Sequence, residues 1–420
     1  MQNIQMIPEN GMCISCGACI CACPKNCIRL EKNGFYYFPK IDFSKCISCG
    51  RCSQVCPSDI MYESKDCFSV DSILGEYKQI LFAKSVDRQI LTNAVSGGVI
   101  TGLINYLLYK RIYDVAICVR SPQRGKMLQS DVIDNVNQLR STQKSKYLMV
   151  SHVNAFNYIL NNRDKKVIFV GTGCAVRALL KTINQNKLDR NNYLVLGLFC
   201  DKTMHYGVLE YFSTNPYLNP DNKELSSIEF RTKDSGGWPG GIKLIFDDNT
   251  EKCFENNERM KVKDYFVPER CLYCLDKLNV GSDITIGDNY IEGNSDRDGA
   301  CSVIVRTDIG MRIWNLCSDM FIIHKDSKDD LVSSQRLNNK IYNYYNVRIK
   351  TGVGLSDIPK RYFRSYKQSL RKITIGNSTK IYTAVSKDIS KRNGYRAKLV
   401  MRIKQLAKRF LVWVGFGNNS

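Results

Sequence analysis

CISCGACICACP at residues 13–24 returns 33 positions later as CISCGRCSQVCP at residues 46–57. Each copy spaces its cysteines as C-x2-C-x2-C-x3-C, followed by proline. This spacing supplies three thiolates to one iron–sulfur cubane from a single loop, while the fourth cysteine reaches a second cluster. The aromatic stretch Phe35–Pro39 between the copies predicts a short hairpin strand. We therefore expect a small two-fold module whose core is largely metal clusters.

The repeat predicts two [4Fe–4S] clusters with crossed ligation. Residues 1–69 are thus interpreted as an α+β ferredoxin-like cluster module. The expected ligands of one cluster are Cys13, Cys16, Cys19 and Cys56, and those of the other are Cys23, Cys46, Cys49 and Cys52. A zinc site, or a pair of zinc ribbons, is the alternative for such C-x2-C pairs. Three further thiols lie off the repeat and are interpreted as small buried hydrophobic residues: Cys21, Cys27 and Cys67.

The composition predicts a globular protein of two or three domains, because the chain has 420 residues, of which 44% are hydrophobic and 24% charged. No apolar run reaches about 18 residues, and Met1–Met12 lack the pattern of a secretory signal. We expect a cytoplasmic protein, in which 19 cysteines favour metal binding over disulfides. Only three histidines are present, so thiolates are expected to dominate the metal chemistry.

From residue 70 to about residue 325, helical and strand-like runs alternate as in an α/β domain. An apolar helix is predicted over Val99–Tyr109. Strands are predicted at Asp114–Val119, Lys166–Val170 and Tyr193–Phe199. Cys174 and Cys200 follow the last two strands. Both are therefore expected at the carboxyl edge of the sheet, where open α/β folds bind ligands.

Several short motifs follow one another between Ser96 and Arg306. They are Ser96-Gly97-Gly98, Ser145-Lys146-Tyr147, Gly171-Thr172-Gly173-Cys174, Cys200, Arg231-Thr232-Lys233 with Gly237-Trp238, Cys271-x2-Cys274, and the run from Ser282 to Asp288. In this order they resemble the family of coenzyme F-420 hydrogenase/dehydrogenase beta subunits. The resemblance implies a flavin-binding α/β domain at residues 70–325, with a third iron–sulfur cluster beside the flavin.

The implied ligands of the third cluster are Cys174, Cys200, Cys271 and Cys274, and zinc is the alternative occupant of such a site. A glycine-rich helix start suits a diphosphate, because backbone N–H groups and the positive end of the helix dipole face the anion. The expected pyrophosphate cradle of FAD is therefore Ser96, Gly97 and Gly98, with an ordinary loop as the alternative. The remaining expected flavin contacts are Ser145, Lys146, Tyr147 and Thr172, where a solvated lysine is the alternative for Lys146.

Residues 326–420 are interpreted as a basic, mostly helical C-terminal region. Residues 331–420 hold 20 lysines and arginines against two acids, or +18, which leaves +3 of the total +21 for the first 330 residues. An amphipathic helix is predicted there, with an apolar face formed by Leu399, Ile403, Leu406, Phe410 and Trp413. Its composition is that of a peripheral membrane anchor. Packing on the protein's own core or on a partner is the alternative.

Iron–sulfur clusters carry single electrons and flavins carry two, so both on one chain indicate an oxidoreductase. The leading hypothesis is electron flow from ferredoxin or another redox protein, through the clusters and FAD, to an organic substrate. Related proteins are encoded near surface-polysaccharide genes, which suggests a glycan intermediate as that substrate. The alternative is an electron-relay subunit of a larger complex with no substrate of its own. Nucleic-acid binding is disfavoured because no nucleic-acid module is recognised.

The sequence identifies no catalytic acid or base. The candidates are Asp283, Asp288, Lys146 and His205. A buried or capping role is the favoured interpretation of each aspartate, because such residues commonly satisfy backbone N–H groups.

Overall fold

The architecture is given by a computed structural model, which describes residues 3–58, 68–123, 125–234, 236–290, 296–351 and 388–391. Its strands β1 to β14 are Ile28–Asn33, Tyr36–Ile41, Gln79–Ser85, Val115–Val119, Leu128–Ile133, Val150–Ser151, Val167–Gly171, Tyr193–Leu198, Leu225–Thr232, Gly241–Phe246, Glu251–Phe254, Ile284–Asp288, Cys301–Val305 and Phe321–Lys325. Its helices α1 to α14 are Met6–Glu9, Ala18–Cys21, Arg51–Gln54, Val70–Leu74, Arg88–Asn93, Val99–Tyr109, Val153–Asn161, Gly173–Gln185, Gly207–Thr214, Asn256–Val262, Glu269–Leu272, Asp308–Cys317, Lys328–Ser334 and Leu337–Thr351. Short 3-10 helices span Val136–Thr142, Arg190–Asn192 and Ser318–Met320.

The N-terminal repeat folds as a two-fold pair of cysteine loops, with the antiparallel hairpin β1–β2 between them. In each copy, the serine and the glycine of the I-S-C-G sequence adopt positive φ. The φ values are 60° at Ser15 and 78° at Gly17, against 53° at Ser48 and 71° at Gly50. A four-residue helix, α2 or α3, follows each glycine. The same local sequence therefore folds the same way twice.

A nine-stranded mixed sheet forms the centre of the larger domain, in the order β14-β3-β13-β12-β8-β7-β4-β5-β6. Strands β12, β8, β7 and β4 run parallel, and β13, β3 and β14 pair antiparallel on one side. Successive sheet residues face opposite ways. Ile168 packs with α6 and α12, whereas Phe169 packs with α7 and α8. The α/β architecture is confirmed.

The local sequence predictions agree closely with this sheet. Helix α6 has the predicted bounds Val99–Tyr109. Strands β4, β7 and β8 each end within one residue of their predicted limits. Because β7 and β8 are parallel neighbours, their carboxyl ends lie together, and Cys174 and Cys200 follow them as expected.

A smaller antiparallel sheet, in the order β11-β10-β9, was not foreseen from the sequence. It packs with α9 and α10 around a core that includes the fully buried rings of Phe212, Phe230 and Phe266. This sheet lies between β8 and β12 in the chain. It brings Arg231 on β9 to Asp288 at the end of β12, where one guanidinium nitrogen lies 3.0 Å from a carboxylate oxygen.

The cysteine module packs directly on α7 and α8. Ala18 of the module is fully buried in a hydrophobic core shared with those helices. The backbone N–H of His152 donates to the Cys16 carbonyl at 2.8 Å. The ammonium group of Lys181 donates to the Cys56 carbonyl at 2.9 Å. The module and the α/β domain thus share one continuous core.

The first part of the C-terminal region belongs to the folded body. Leu331 of α13 and Leu337 of α14 are fully buried in a cluster with α4, β3 and β13. The amphipathic helix predicted between Leu399 and Trp413 lies outside the described residues, so its membrane role stays a prediction. Within the described part of the chain, no helix is both long and apolar enough to cross a membrane.

Candidate metal centres

The first group of predicted ligands surrounds a small cavity inside the module. Cys13, Cys16, Cys19 and Cys56 all line it, together with apolar residues such as Ile4. Burial raises the pKa of Cys13 to about 12, and it raises the pKa values of Cys16 and Cys19 well above the usual range. Such thiols are neutral on their own, and metal binding is what favours their thiolates. The four thiols are a donor set that fits a metal cluster.

The second group surrounds another small cavity, which the exposed residue Ile47 also lines. Its predicted ligands all line this cavity: Cys23, Cys46, Cys49 and Cys52. A fifth thiol, that of Cys27, lines the same space, and its sulfur lies 3.3 Å from the sulfur of Cys23. The sequence analysis interpreted Cys27 as a small buried hydrophobic residue and did not predict that it lines this cavity. Its position four residues after Cys23 was the available signal.

Three separate elements bring the third group together. Cys174 lies in the first turn of α8, Cys200 follows β8, Cys271 lies in α11, and Cys274 comes shortly after it. Burial, followed by the charges of the other three thiols, raises the pKa of Cys200 well above its usual value. Thr172, a predicted flavin contact, precedes α8, and its hydroxyl lies 3.3 Å from the Cys174 sulfur. The four thiols are therefore neighbours.

The first group lies close to each of the other two. After burial, charges on neighbouring thiols raise the pKa values further, and these neighbours cross from group to group. Cys19 of the first group has Cys52 of the second as a neighbour, and Cys16 has Cys174 of the third. Within the described ranges, no three histidine, cysteine, aspartate or glutamate side chains are placed to hold a single metal ion. The thiols of the first two groups surround the cavities described above.

Arg270 places a buried positive charge between the third group and the module. The residue is only 3% exposed. Its guanidinium donates to the Pro57 carbonyl at 3.3 Å and also hydrogen-bonds the Cys274 thiol. Burial alone would lower the pKa of Arg270, but the thiols of Cys274, Cys174 and Cys271 keep it above its usual value. The C-x2-C motif did not predict that a buried arginine lies beside these thiols.

The predicted pyrophosphate cradle lies at the start of α6, but the chain itself fills the space beside it. The Ser96 hydroxyl donates to the Ala300 carbonyl at 2.5 Å. A Cβ on Gly97 would lie 2.5 Å from the Ala83 carbonyl oxygen on β3. Gly98 precedes α6 with φ 71°. Close packing against the sheet is thus sufficient reason for a glycine at position 97, whether or not a phosphate binds there. The pyrophosphate cradle stays a prediction.

Lys146 is a buried lysine whose donors are already used. Its ammonium group hydrogen-bonds the three backbone carbonyls of residues 142–144, and burial lowers the pKa of Lys146 to about 7. A contact with a phosphate would therefore replace one of these bonds. On either side of it, the backbone of Ser145 pairs with Phe230, and the ring of Tyr147 packs edge-on against Phe230 with centroids 5.5 Å apart.

Four side chains that the sequence did not bring together meet at the carboxyl end of β12. This sheet-edge group consists of Arg231, Trp238, Asp288 and Tyr290. Arg231 is ion-paired with Asp288, which also accepts hydrogen bonds from the Trp238 indole at 3.0 Å and the Tyr290 hydroxyl at 3.2 Å. Burial alone would raise the pKa of Asp288, but Arg231 holds it below its usual value. The two aromatic rings lie 5.0 Å apart.

Comparison with known proteins places these centres in a family. Family models described as the N-terminal and C-terminal parts of the coenzyme F420 hydrogenase/dehydrogenase beta subunit match residues 80–157 and 164–330. The chain belongs to this family. Models of the 4Fe-4S dicluster domain match residues 12–60 and 38–92 of this family member, so its N-terminal module is an iron–sulfur domain of the ferredoxin type.

Relatives among the coenzyme F420 hydrogenase/dehydrogenase beta subunits match most of the chain. The F(420)H(2) dehydrogenase of Methanosarcina mazei has a subunit that is 24% identical over 337 residues, which cover 78% of this chain and 89% of that protein. Coenzyme F420 hydrogenase subunit beta of Methanosarcina barkeri is 23% identical, over 58% of this chain and 80% of that protein. A chain of the xenon-derivatised F420-reducing [NiFe] hydrogenase complex from Methanosarcina barkeri shares the fold. Its TM-score is 0.50 at 20% identity, over 69% of this chain and 97% of that chain.

Asp283, one of the catalytic candidates, is buried, and hydrogen-bond donors of the protein contact both of its carboxylate oxygens. Both of its carboxylate oxygens lie 2.9 Å from the Arg190 guanidinium. They also accept hydrogen bonds from the Val195 N–H at 2.8 Å and from the Thr307 hydroxyl at 2.7 Å. The favoured interpretation of Asp283 as a buried structural residue agrees with these contacts.

His205, the other candidate, lies in an aromatic cluster that joins the hairpin to the α/β domain. Its ring stacks on Phe35 and packs against Tyr36 and Phe266, with centroids 4.9 to 5.8 Å apart. Burial lowers the pKa of His205 to about 4, and its Nδ1 accepts a hydrogen bond from the Gly207 N–H at 3.2 Å. A neutral packing role follows from these contacts.

The cysteines outside the three groups divide by exposure. Those buried in the α/β core are Cys118, Cys301 and Cys317. Cys253 on β11 is exposed, and Cys21 is half-buried with its thiol 3.6 Å from the Val153 carbonyl. Cys67 lies outside the described residues.

Proposed function

We propose that this protein is an iron–sulfur electron-transfer subunit that relays single electrons to a partner oxidoreductase. The observation that carries the proposal is the proximity of the three thiol groups: Cys19 packs in one cluster with Cys52, and Arg270 hydrogen-bonds both the Pro57 carbonyl beside the first group and the Cys274 thiol of the third. Clusters held by these groups would supply one-electron transfer. The relatives support a subunit role, because they are named as subunits of F420 hydrogenases and of an F(420)H(2) dehydrogenase.

The iron content of single-cysteine variants tests this proposal. Anaerobically purified protein is expected to hold about twelve irons per chain. Cys49→Ala, Cys16→Ala and Cys200→Ala are each expected to remove about four of these irons, because each deletes one ligand of a different group. Iron and zinc are measured by mass spectrometry, with EPR of the reduced protein.

Cys118→Ala is the matched control, because Cys118 is buried in the α/β core outside the three groups. It is expected to retain all the iron. One equivalent of zinc lost specifically in Cys200→Ala would contradict a third iron–sulfur cluster. Unchanged iron in Cys49→Ala would contradict the ligand assignment within the module.

A one-electron carrier of the ferredoxin class is the proposed partner at the second group. Two apolar side chains close to Cys46 in the sequence are largely exposed, Phe43 at 58% and Ile47 at 57%, and Ile47 lines the second cavity. Exposed apolar residues next to a redox site are suited to a transient protein contact. The double variant Phe43→Ser/Ile47→Ser is expected to slow electron exchange with reduced ferredoxin roughly tenfold, the effect of about 1.4 kcal/mol.

Stopped-flow spectroscopy measures this rate. Reduction by dithionite, a small molecule that needs no docking surface, is expected to be unchanged. Leu316→Ser is the control, because Leu316 is also exposed but lies on α12, which covers the opposite face of the sheet from the module. Equal slowing in the control, or normal exchange in the double variant, would disprove this docking site.

Flavin-dependent chemistry is the second candidate function, and the sheet-edge group favours it. Trp238 and Tyr290 present an aromatic pair at the carboxyl edge of the sheet, where α/β folds bind cofactors. Tyr290 is 45% exposed, so its ring is accessible to a planar ligand. The group also adjoins Ser96, because a Cβ on Gly299 would contact both Trp238 and the Ser96 hydroxyl.

Tyr290→Ala is expected to weaken FAD binding roughly tenfold, because it removes one aromatic surface from the group. Titration of deflavinated protein with FAD, followed by flavin fluorescence, gives the affinity. Tyr217→Ala is the control, because Tyr217 is 69% exposed and lies outside the sheet-edge group, in a tilted arrangement with Phe254 whose ring centroids are 6.3 Å apart. If the wild-type protein takes up no FAD, the relay function stands without a flavin. A Gly97 variant is less informative, since its Cβ would disturb the sheet.

A further inference from the structure

Cys27 is held against the second thiol group by the backbone on both sides of it. Asn26, with φ 48°, closes a turn in which its N–H donates to the Cys23 carbonyl at 3.2 Å. The Cys27 N–H then lies 3.4 Å from the Cys23 sulfur. The Cys27 carbonyl accepts a hydrogen bond from the Asp42 N–H at 2.8 Å, directly before strand β1 begins. The hairpin therefore fixes this thiol at the cavity.

The second cavity consequently has five thiols around it, whereas a [4Fe–4S] cluster takes four. The Cys27 side chain is 5% exposed and has the thiols of both Cys23 and Cys46 beside it. The repeat supplies an internal comparison. Four positions after Cys56, which corresponds to Cys23, the sequence has Ile60. The extra thiol is thus particular to the second group.

We propose that Cys27 is a reserve ligand of the second cluster, exchangeable with Cys23. The inference rests on the cluster assignment made above. In the exchange, the sulfur of Cys27 forms a bond to iron as the iron–sulfur bond of Cys23 breaks. The proton leaves Cys27 and is taken up by Cys23, so no electron is gained or lost. The 3.3 Å between the two sulfurs means that only a small movement separates the two arrangements.

The test compares the iron content of five variants of the full-length protein, purified anaerobically. Cys23→Ala is expected to keep about twelve irons, because Cys27 takes the vacant position. Cys27→Ala is also expected to keep about twelve, because Cys23 remains. The double variant Cys23→Ala/Cys27→Ala is expected to fall to about eight. EPR of reduced Cys23→Ala is expected to show a changed signal for one cluster only.

Two further variants are controls. Cys49→Ala is expected to fall to about eight irons, because the Cys27 thiol lies beside those of Cys23 and Cys46. Cys56→Ala, the repeat-related counterpart of Cys23→Ala, is expected to fall equally. Circular dichroism and retention of the other irons show that each variant is folded.

The outcomes separate this inference from the proposed function. If Cys49→Ala loses iron and Cys23→Ala loses as much, the reserve role of Cys27 is overturned while the cluster assignment stands. If Cys27→Ala alone loses about four irons, the exchange is likewise overturned. If Cys49→Ala keeps all its iron, the cluster assignment itself fails. Iron retained in both single variants but lost in the double variant supports the exchange.

Discussion

Replacing Asp283 by asparagine is expected to lower the midpoint of thermal unfolding by roughly 3–6 °C. The Asp283 carboxylate has no exposed surface, and its ion pair with Arg190 joins the start of β8 to the strand β12 that follows Asp283. Asparagine keeps the shape but removes the charge, and its NH2 group faces hydrogen-bond donors. Breaking a fully buried pair costs about 3–5 kcal/mol. Because the Arg190 side chain is 33% exposed, we expect about 2–4 kcal/mol.

The matched control is the ion pair between Lys78 and Asp308, whose charged atoms lie 2.7 Å apart. The Asp308 side chain is 90% exposed, so water compensates the loss of this charge. Asp308→Asn is therefore expected to leave the midpoint unchanged. Scanning calorimetry of anaerobic samples with equal iron content makes the comparison. If Asp283→Asn unfolds at the wild-type midpoint, the buried pair does not stabilise the sheet.

Local patterns predicted the elements that depend on nearby residues. The repeated I-S-C-G sequence folds twice with the same positive φ values, because its conformation is set within a few residues. The apolar period of Val99–Tyr109 gave the bounds of α6, since one helix face packs on the sheet. The placement of Cys174 and Cys200 followed from a general property of parallel strands, whose carboxyl ends share one edge.

Features built from distant segments could not be predicted in the same way. The sheet-edge group joins Arg231, Trp238, Asp288 and Tyr290 through the small sheet β9–β11, and no local pattern encodes that meeting. A glycine at the start of a helix can be required for more than one physical reason. Gly97 was interpreted as a place for a phosphate, which stays a prediction, and the structure shows that it also approaches the backbone of β3 closely.

Composition alone did not show how the C-terminal side of the domain packs. The sequence from residue 326 onward is rich in asparagine, tyrosine and basic residues. A few well-spaced apolar residues nevertheless suffice to anchor α13 and α14, because Leu331, Leu337 and Tyr345 are fully buried. Composition averaged over a region does not show which of its residues reach the core.

If the third thiol group holds the proposed cluster, replacing Arg270 by alanine is expected to lower the reduction potential of that cluster by roughly 60–130 mV. The guanidinium is buried beside the thiols of Cys274, Cys174 and Cys271. Reduction of a cluster held there adds negative charge next to this cation, which stabilises the reduced form. A hydrogen bond to a charged group contributes about 1.5–3 kcal/mol. For a one-electron couple, tenfold in the equilibrium constant corresponds to about 59 mV, which gives the expected range. EPR-monitored redox titration measures it.

Two further variants separate the charge of Arg270 from its contact with the module. Arg270→Lys keeps the charge. The reduction potential of the third centre is therefore expected to be closer to the wild-type value in Arg270→Lys than in Arg270→Ala. Lys181→Ala removes a different contact with the module, the 2.9 Å hydrogen bond to the Cys56 carbonyl. Lys181→Ala is expected to leave the reduction potential of the third centre unchanged. If Lys181→Ala lowers that potential as much as Arg270→Ala, then the packing of the module, and not the buried cation, sets the potential of the third centre.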